Sequence, residues 1–184
     1  MGLMKILRKI KLKEHQVRIL TLGLDNSGKT TIIKSFLSQD PTSTSPTLGF
    51  TINTLKYKSN TINFWDIGGQ TTIRSYWRNY FEETDGVIWV VDSSDKLRLN
   101  DCKDELHNLL KQEKLAGATL LVFCNKQDIN GALNVEEIKN VLELENITTR
   151  HWIIMPCCGL NGNGLENGLE WLMDDISSRI FMLG

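Results

Sequence analysis

No apolar run in this chain approaches the roughly 18 residues that a membrane-spanning helix requires, and its opening does not read as a secretory signal. Charge of one sign is also missing: 21 Lys and Arg stand against 22 Asp and Glu, a formal net charge of -1, so there is no basic footprint for nucleic acid. The four cysteines, Cys102, Cys124, Cys157 and Cys158, lack zinc spacing. They read as buried or adjacent free thiols, which predicts a reducing, intracellular and cytoplasmic setting. His15, His107 and His151 show no ligand spacing either. Internal repeats, low-complexity tracts and long linkers are absent, which leaves no natural place to cut 184 residues into two domains. A hydrophobic fraction of 41% is enough for one buried core.

What is present falls into two regimes. Residues 1–13 form a basic, amphipathic opening, and from residue 14 to 184 apolar runs alternate with stretches of helical periodicity. Val17 to Leu22 reads as a strand, followed by a Gly-rich turn and a helix carrying Ile32, Ile33, Phe36 and Leu37 on one face. Thr51 to Tyr57 and Thr61 to Ile67 alternate around Lys58-Ser59-Asn60 and predict an antiparallel hairpin. Val87 to Val91, Thr119 to Cys124 and Trp152 to Pro156 are short apolar runs, each followed by a helical stretch. That order predicts an α/β fold, a mostly parallel sheet with helices on both faces.

Between the first strand and first helix stands Gly23-Leu24-Asp25-Asn26-Ser27-Gly28-Lys29-Thr30, a G-x-x-x-x-G-K-T loop. In that setting the backbone N–H groups of the loop and of the helix start, through Thr31, can face phosphate oxygens. Lys29 adds a cation, and Thr30 offers a hydroxyl to Mg²⁺. The loop alone does not separate ATP from GTP. Asn125-Lys126-Gln127-Asp128 does, because a carboxylate at Asp128 can accept from both N1–H and the N2 amino group of guanine, a donor pair that adenine lacks. Asn125 and Lys126 would hold this base loop to the phosphate loop. Asp66-Ile67-Gly68-Gly69-Gln70 supplies a carboxylate that can reach Mg²⁺ through water, a Gly69 backbone N–H for the γ-phosphate and, in Gln70, an amide suited to orienting water. Thr47, in Pro46-Thr47-Leu48-Gly49-Phe50, offers a second hydroxyl once its loop closes over a triphosphate.

On these segments the chain resembles the ADP-ribosylation-factor-like members of the Ras-type small GTPase superfamily over essentially its whole length. The resemblance implies a P-loop G domain with a six-stranded sheet, GTP or GDP with Mg²⁺, an exchange factor, a GTPase-activating protein, and effectors that bind the GTP form. It implies that Phe50, Trp65 and Tyr80 form the effector surface and that Cys158 and Gly159 border guanine. The family usually has Cys-Ser/Thr-Ala where Cys157-Cys158-Gly159 stands here, so a more flexible loop is expected with a backbone N–H still available to guanine O6. The segments Pro46-Thr47-Leu48-Gly49-Phe50, Ser75-Tyr76-Trp77-Arg78-Asn79-Tyr80, Leu115-Ala116-Gly117-Ala118-Thr119 and Asp174-Asp175-Ile176-Ser177-Ser178-Arg179 are most similar to one branch of the family. That branch implies a cytosolic role in tubulin folding with the tubulin-specific cofactors, hence in microtubule assembly, and effectors that carry lipidated cargo.

The mechanism expected is attack of a Gln70-oriented water on the γ-phosphate, with Lys29 and the loop amides absorbing charge and no arginine within the motifs acting in cis. Unaided turnover is then slow. The alternative is a nucleotide-dependent assembly subunit of a tubulin-cofactor complex, with hydrolysis incidental; a metabolic P-loop kinase is disfavoured by Asn125 to Asp128. Asp25, where other relatives carry glycine, either crowds an incoming arginine or satisfies loop amides. At the opening, Ile6 occupies the Ser/Thr position of the myristoylation motif, so no acyl chain is expected despite Gly2. Leu3, Ile6, Leu7 and Ile10 share a helical face opposite Lys5, Arg8, Lys9 and Lys13, which gives weak membrane contact at best. Trp89, Trp152 and Trp171 read as core, Trp77 as a further surface aromatic, and Glu82-Glu83 as a solvated turn.

Overall fold

The computed structural model describes residues 16–182, with side chains through Arg179. The amphipathic opening at 1–13 lies outside the described residues.

Six strands form one sheet: β1 (Gln16–Leu22), β2 (Phe50–Tyr57), β3 (Asn60–Ile67), β4 (Gly86–Asp92), β5 (Thr119–Asn125) and β6 (Trp152–Pro156). Their spatial order is β2-β3-β1-β4-β5-β6. Only the β2–β3 pair is antiparallel, closed by the turn at Lys58 and Ser59, and all other neighbours run parallel. The helices are α1 (Lys29–Phe36), α2 (Thr71–Arg74), α3 (Leu99–Leu110), α4 (Val135–Val141) and α5 (Leu165–Met182).

The strand alternation read from sequence sorts side chains to two cores. Leu20, Leu22, Val87, Trp89, Leu120 and Val122 face α3 and α4. Ile19, Phe64, Ile88, Val90, Leu121 and Phe123 face α1 and α5. Strands buried on both faces need apolar residues at every position, which is why β4 and β5 read as unbroken runs. Trp89 is wholly buried, while Trp152 and Trp171 pack partly buried against the two cores. α4 carries the clearest local start signal: Asn134 accepts from Glu137 N–H and Glu137 accepts from Asn134 N–H, a reciprocal capping box. Because five strands point the same way, the segments following Leu22, Ile67, Asp92, Asn125 and Pro156 all emerge at one edge of the sheet, where such folds bind ligands.

Candidate nucleotide site

At that edge a cleft of about 290 Å³ is lined by Asp25, Asn26 and Gly28 to Thr31 on one side, Thr44 to Thr47 on another, and Gly68 to Gln70 on the third. Lys29 anchors the first side. Its ammonium donates to the Gly23 and Leu24 carbonyls at 3.1 and 2.8 Å, curling the loop around itself. Burial pushes Lys29 down to about 8, with Asp66 and then Asp25 opposing. Gly28 begins α1 with φ 94° and no side-chain cap, so the first N–H groups of the helix lack intrahelical partners at the cleft. A Cβ at Gly28 would lie 2.3 Å from Asn125 Nδ2, a second reason for glycine there. Ser27 Oγ is buried without a partner. Thr31 lines the cleft through the first turn of α1.

Asp66, fully buried at the end of β3, accepts from Thr30 Oγ1 at 2.6 Å through Oδ2. Thr47 Oγ1 lies 3.0 Å from Thr30 Oγ1 and 3.5 Å from the same carboxylate oxygen, so the threonine loop is closed on the phosphate loop. The other oxygen, Asp66 Oδ1, is buried and unpartnered. Burial raises this carboxyl above the usual range, and the threonines and Lys29 pull it back. Two hydroxyls converging on a carboxylate with an orphaned oxygen form a donor set that fits a small hard cation such as Mg²⁺.

The third side is knitted to the others. Gly68 N–H donates to Gly49 O at 2.9 Å, and a Cβ on Gly69 would lie 2.4 Å from Gly23 O, so this glycine lies flat against the phosphate loop. Gln70 Oε1 is buried without a partner among the residues that line the cleft. An amide oxygen left in that state can accept from a water held beside the phosphates.

The base loop is tied in by two bonds. Asn125 Nδ2 donates to Ser27 O at 2.9 Å, and Lys126, with φ 66°, donates to Asn26 O and pairs with Asp92, both at 2.6 Å. Asp128 accepts from Cys158 Sγ at 3.2 Å and is otherwise exposed, and neither residue is among those lining the cleft. Away from the cleft, Phe50 and Trp65 stack at 5.5 Å and Tyr80 leans on both, at 4.9 and 6.0 Å. Arg18 supports them from β1, with its guanidinium 3.7 Å over the Trp65 ring and donating to Tyr80 O.

The model of the ADP-ribosylation factor family matches residues 3–176. The chain belongs to the ADP-ribosylation factor family. It is 58% identical over 183 residues to ADP-ribosylation factor-like protein 2 of Dictyostelium discoideum and 60% identical over 184 residues to the protein of that name from Arabidopsis thaliana, each pair covered along its whole length. Among solved structures, the Arl6 BBS3 small GTPase of Trypanosoma brucei with the bound nucleotide analogue GppNp aligns with a TM-score of 0.82 and 34% identity, over 89% of this chain and 98% of that one. The chain is thus an Arf-like small GTPase, a GTP-binding switch of a family whose members generally hydrolyse GTP, use Mg²⁺ and work with exchange factors, activating proteins and effectors.

Within this Arf-family frame the structure differs from several expectations. Trp77 is core rather than surface: it is 3% exposed, meets Trp89 edge-on and donates to Gly68 O at 2.9 Å. Gly159 does not loosen its loop, since a Cβ there would sit 3.1 Å from Ile32 Cγ1, and its N–H already donates to Asn125 Oδ1 at 2.9 Å. Asp25 has surroundings that neither expectation included, because Arg98 and Arg74 both pair with its carboxylate. These arginines and Asp92 are site residues that no motif announced. Arg74 had one signal, a cation four residues after Gln70, which one helical turn brings back to it.

Proposed function

We propose that this chain works as a GTP-hydrolysing switch with slow unaided turnover, acting in tubulin folding and microtubule assembly from a cytoplasmic pool with a cytoskeleton-associated fraction. The observation that carries the switch reading is the joining of Thr47 to Thr30 and Asp66, which sets the threonine loop against the residues that would hold the cation, so that a triphosphate with its ion would bias the loop. In this reading Gly23 and Asp25 through Thr31 cradle the phosphates, Asp128 reads guanine with Asn125, Lys126, Cys158 and Gly159 supporting it, and Phe50, Trp65 and Tyr80 form the effector face. Thr30 and Thr47 would hold Mg²⁺ directly and Asp66 would hold it through water; when bound, the ion neutralises phosphate charge.

Gln70 holds the attacking water by accepting its hydrogen bond, and Lys29 stabilises charge on the β- and γ-phosphate oxygens. Both act by position rather than by taking a proton. The pairing of both nearby arginines with carboxylates supports slow unaided turnover, and an activating protein that supplies a cation would accelerate the step by roughly 10³–10⁵.

Support for the tubulin role comes from the relatives named ADP-ribosylation factor-like protein 2 and from the branch-specific segments. Titrating purified tubulin-folding cofactors with the GDP-loaded and GppNp-loaded protein tests it. Association that depends on the nucleotide is expected; association with neither form overturns the tubulin part while leaving the switch standing.

A further inference from the structure

Arg74 grips both peptide groups that flank Gln70. Its main-chain N–H donates to Gln70 O at 3.2 Å, and its side-chain Nε donates to Gly69 O at 2.8 Å. The other ends of the same guanidinium reach Glu105 on α3 at 3.1 Å and Asp25 of the phosphate loop at 3.4 Å. The side chain is only 12% exposed. Gly69 is therefore held between the phosphate loop, which a Cβ would strike at Gly23 O and Asp25 N, and the Arg74 fork. Arg98 secures the far side of Asp25, bonding its carboxylate at 2.9 Å and its carbonyl at 3.0 Å, and pairs with Asp95.

On the reading that Gln70 orients the attacking water, we propose that Arg74 is a positioning residue for hydrolysis. Its guanidinium fixes the peptide group before Gln70 and references it to the phosphate loop through Asp25, while its main-chain N–H, which any residue but proline would supply, holds the peptide group after Gln70. The guanidinium does not contact the nucleotide in this role. Its three N–H directions are matched to three separate acceptors, a task for a planar fork that a lysine ammonium does not reproduce. None of its bonds goes to the base loop or to Lys29, so its loss reaches GDP release only through Asp25 and is expected to affect release far less than hydrolysis.

The test is a cycle of four proteins, wild type, Arg74→Ala, Gln70→Leu and the double variant, each assayed for single-turnover GTP hydrolysis with the activating activity of a cell extract and for release of fluorescent GDP. Losing charge-assisted bonds to Gly69 and Asp25 is expected to slow hydrolysis roughly 10- to 100-fold. GDP release is expected to change less than about twofold, and Arg74→Ala to add nothing in the Gln70→Leu background. Arg74→Lys should recover little, whereas Glu105→Gln, which keeps the fork and removes only the distant charge, should retain most of the rate. A loss that multiplies with that of Gln70→Leu, or an equal acceleration of GDP release, would show a general structural role and overturn the proposal; so would an unchanged rate in Arg74→Ala. Absence of hydrolysis in the wild type itself would instead refute the hydrolytic switch.

Discussion

Asn125 Nδ2 donates to the carbonyl of Ser27 across 98 positions of sequence, at 2.9 Å, and both residues are buried. This bond, with Gly159 N–H on the other end of the same carboxamide, makes one rigid body of the phosphate loop, the base loop and the last loop of the site. Replacing Asn125 with alanine orphans a buried carbonyl and a buried N–H, each worth about 1–3 kcal/mol. GDP release should accelerate at least about tenfold. Stopped-flow release of a fluorescent GDP checks this, and an unchanged rate would remove the coupling.

Base selection tests Asp128 directly. On the proposed reading the carboxylate would accept from two donors on guanine, and an asparagine presents a donor in place of one acceptor. Asp128→Asn should weaken GDP binding by at least about 100-fold and strengthen xanthosine diphosphate binding, measured by competition. Cys158 Sγ remains free to donate to the amide oxygen, so the loop itself should stay in place.

At the aromatic cluster, Phe50 is 43% exposed yet stacked on Trp65. Phe50→Ala should lower stability by no more than about 1–2 kcal/mol, because little area is removed from the core. Capture of GTP-dependent partners should nonetheless fall by at least about tenfold if this face is the docking surface.

All four cysteines are free and buried. Burial holds Cys102 up at about 11 and Cys124 at about 12, and pushes Cys157 and Cys158 up as well. The folded protein at pH 8 should react slowly with a disulfide reagent, and denaturant should expose four thiols at once. Because these folded values exceed the unfolded one, their contribution is intact below about pH 9 and declines as pH rises from there through 11 to 12. Alkaline pH should therefore lower the unfolding midpoint, as followed by circular dichroism.

The periodicity of the strands and the two nucleotide motifs were legible in the sequence because each is local: alternation sorts β1, β4 and β5 to two cores, and the loop residues lie beside one another in the chain. Trp77 was misjudged because its neighbours in sequence are surface residues, while its burial depends on meeting Trp89 and Gly68 across the fold. The surroundings of Asp25 were equally hidden. Arg74 and Arg98 lie 49 and 73 positions away, and a lone arginine in a short helix gives no sign of which carboxylate it will find. Gly159 showed the limit of composition: glycine suggested looseness, and the close approach of Ile32 and Thr31 gives the opposite.

The most direct test of the account is single-turnover hydrolysis of bound GTP with and without a cell extract, in the wild type and in Gln70→Leu. Acceleration of the wild type and none of the variant is the predicted result. If neither protein responds while both bind GTP, hydrolysis is incidental and the chain acts as a nucleotide-dependent assembly subunit, which contradicts the account.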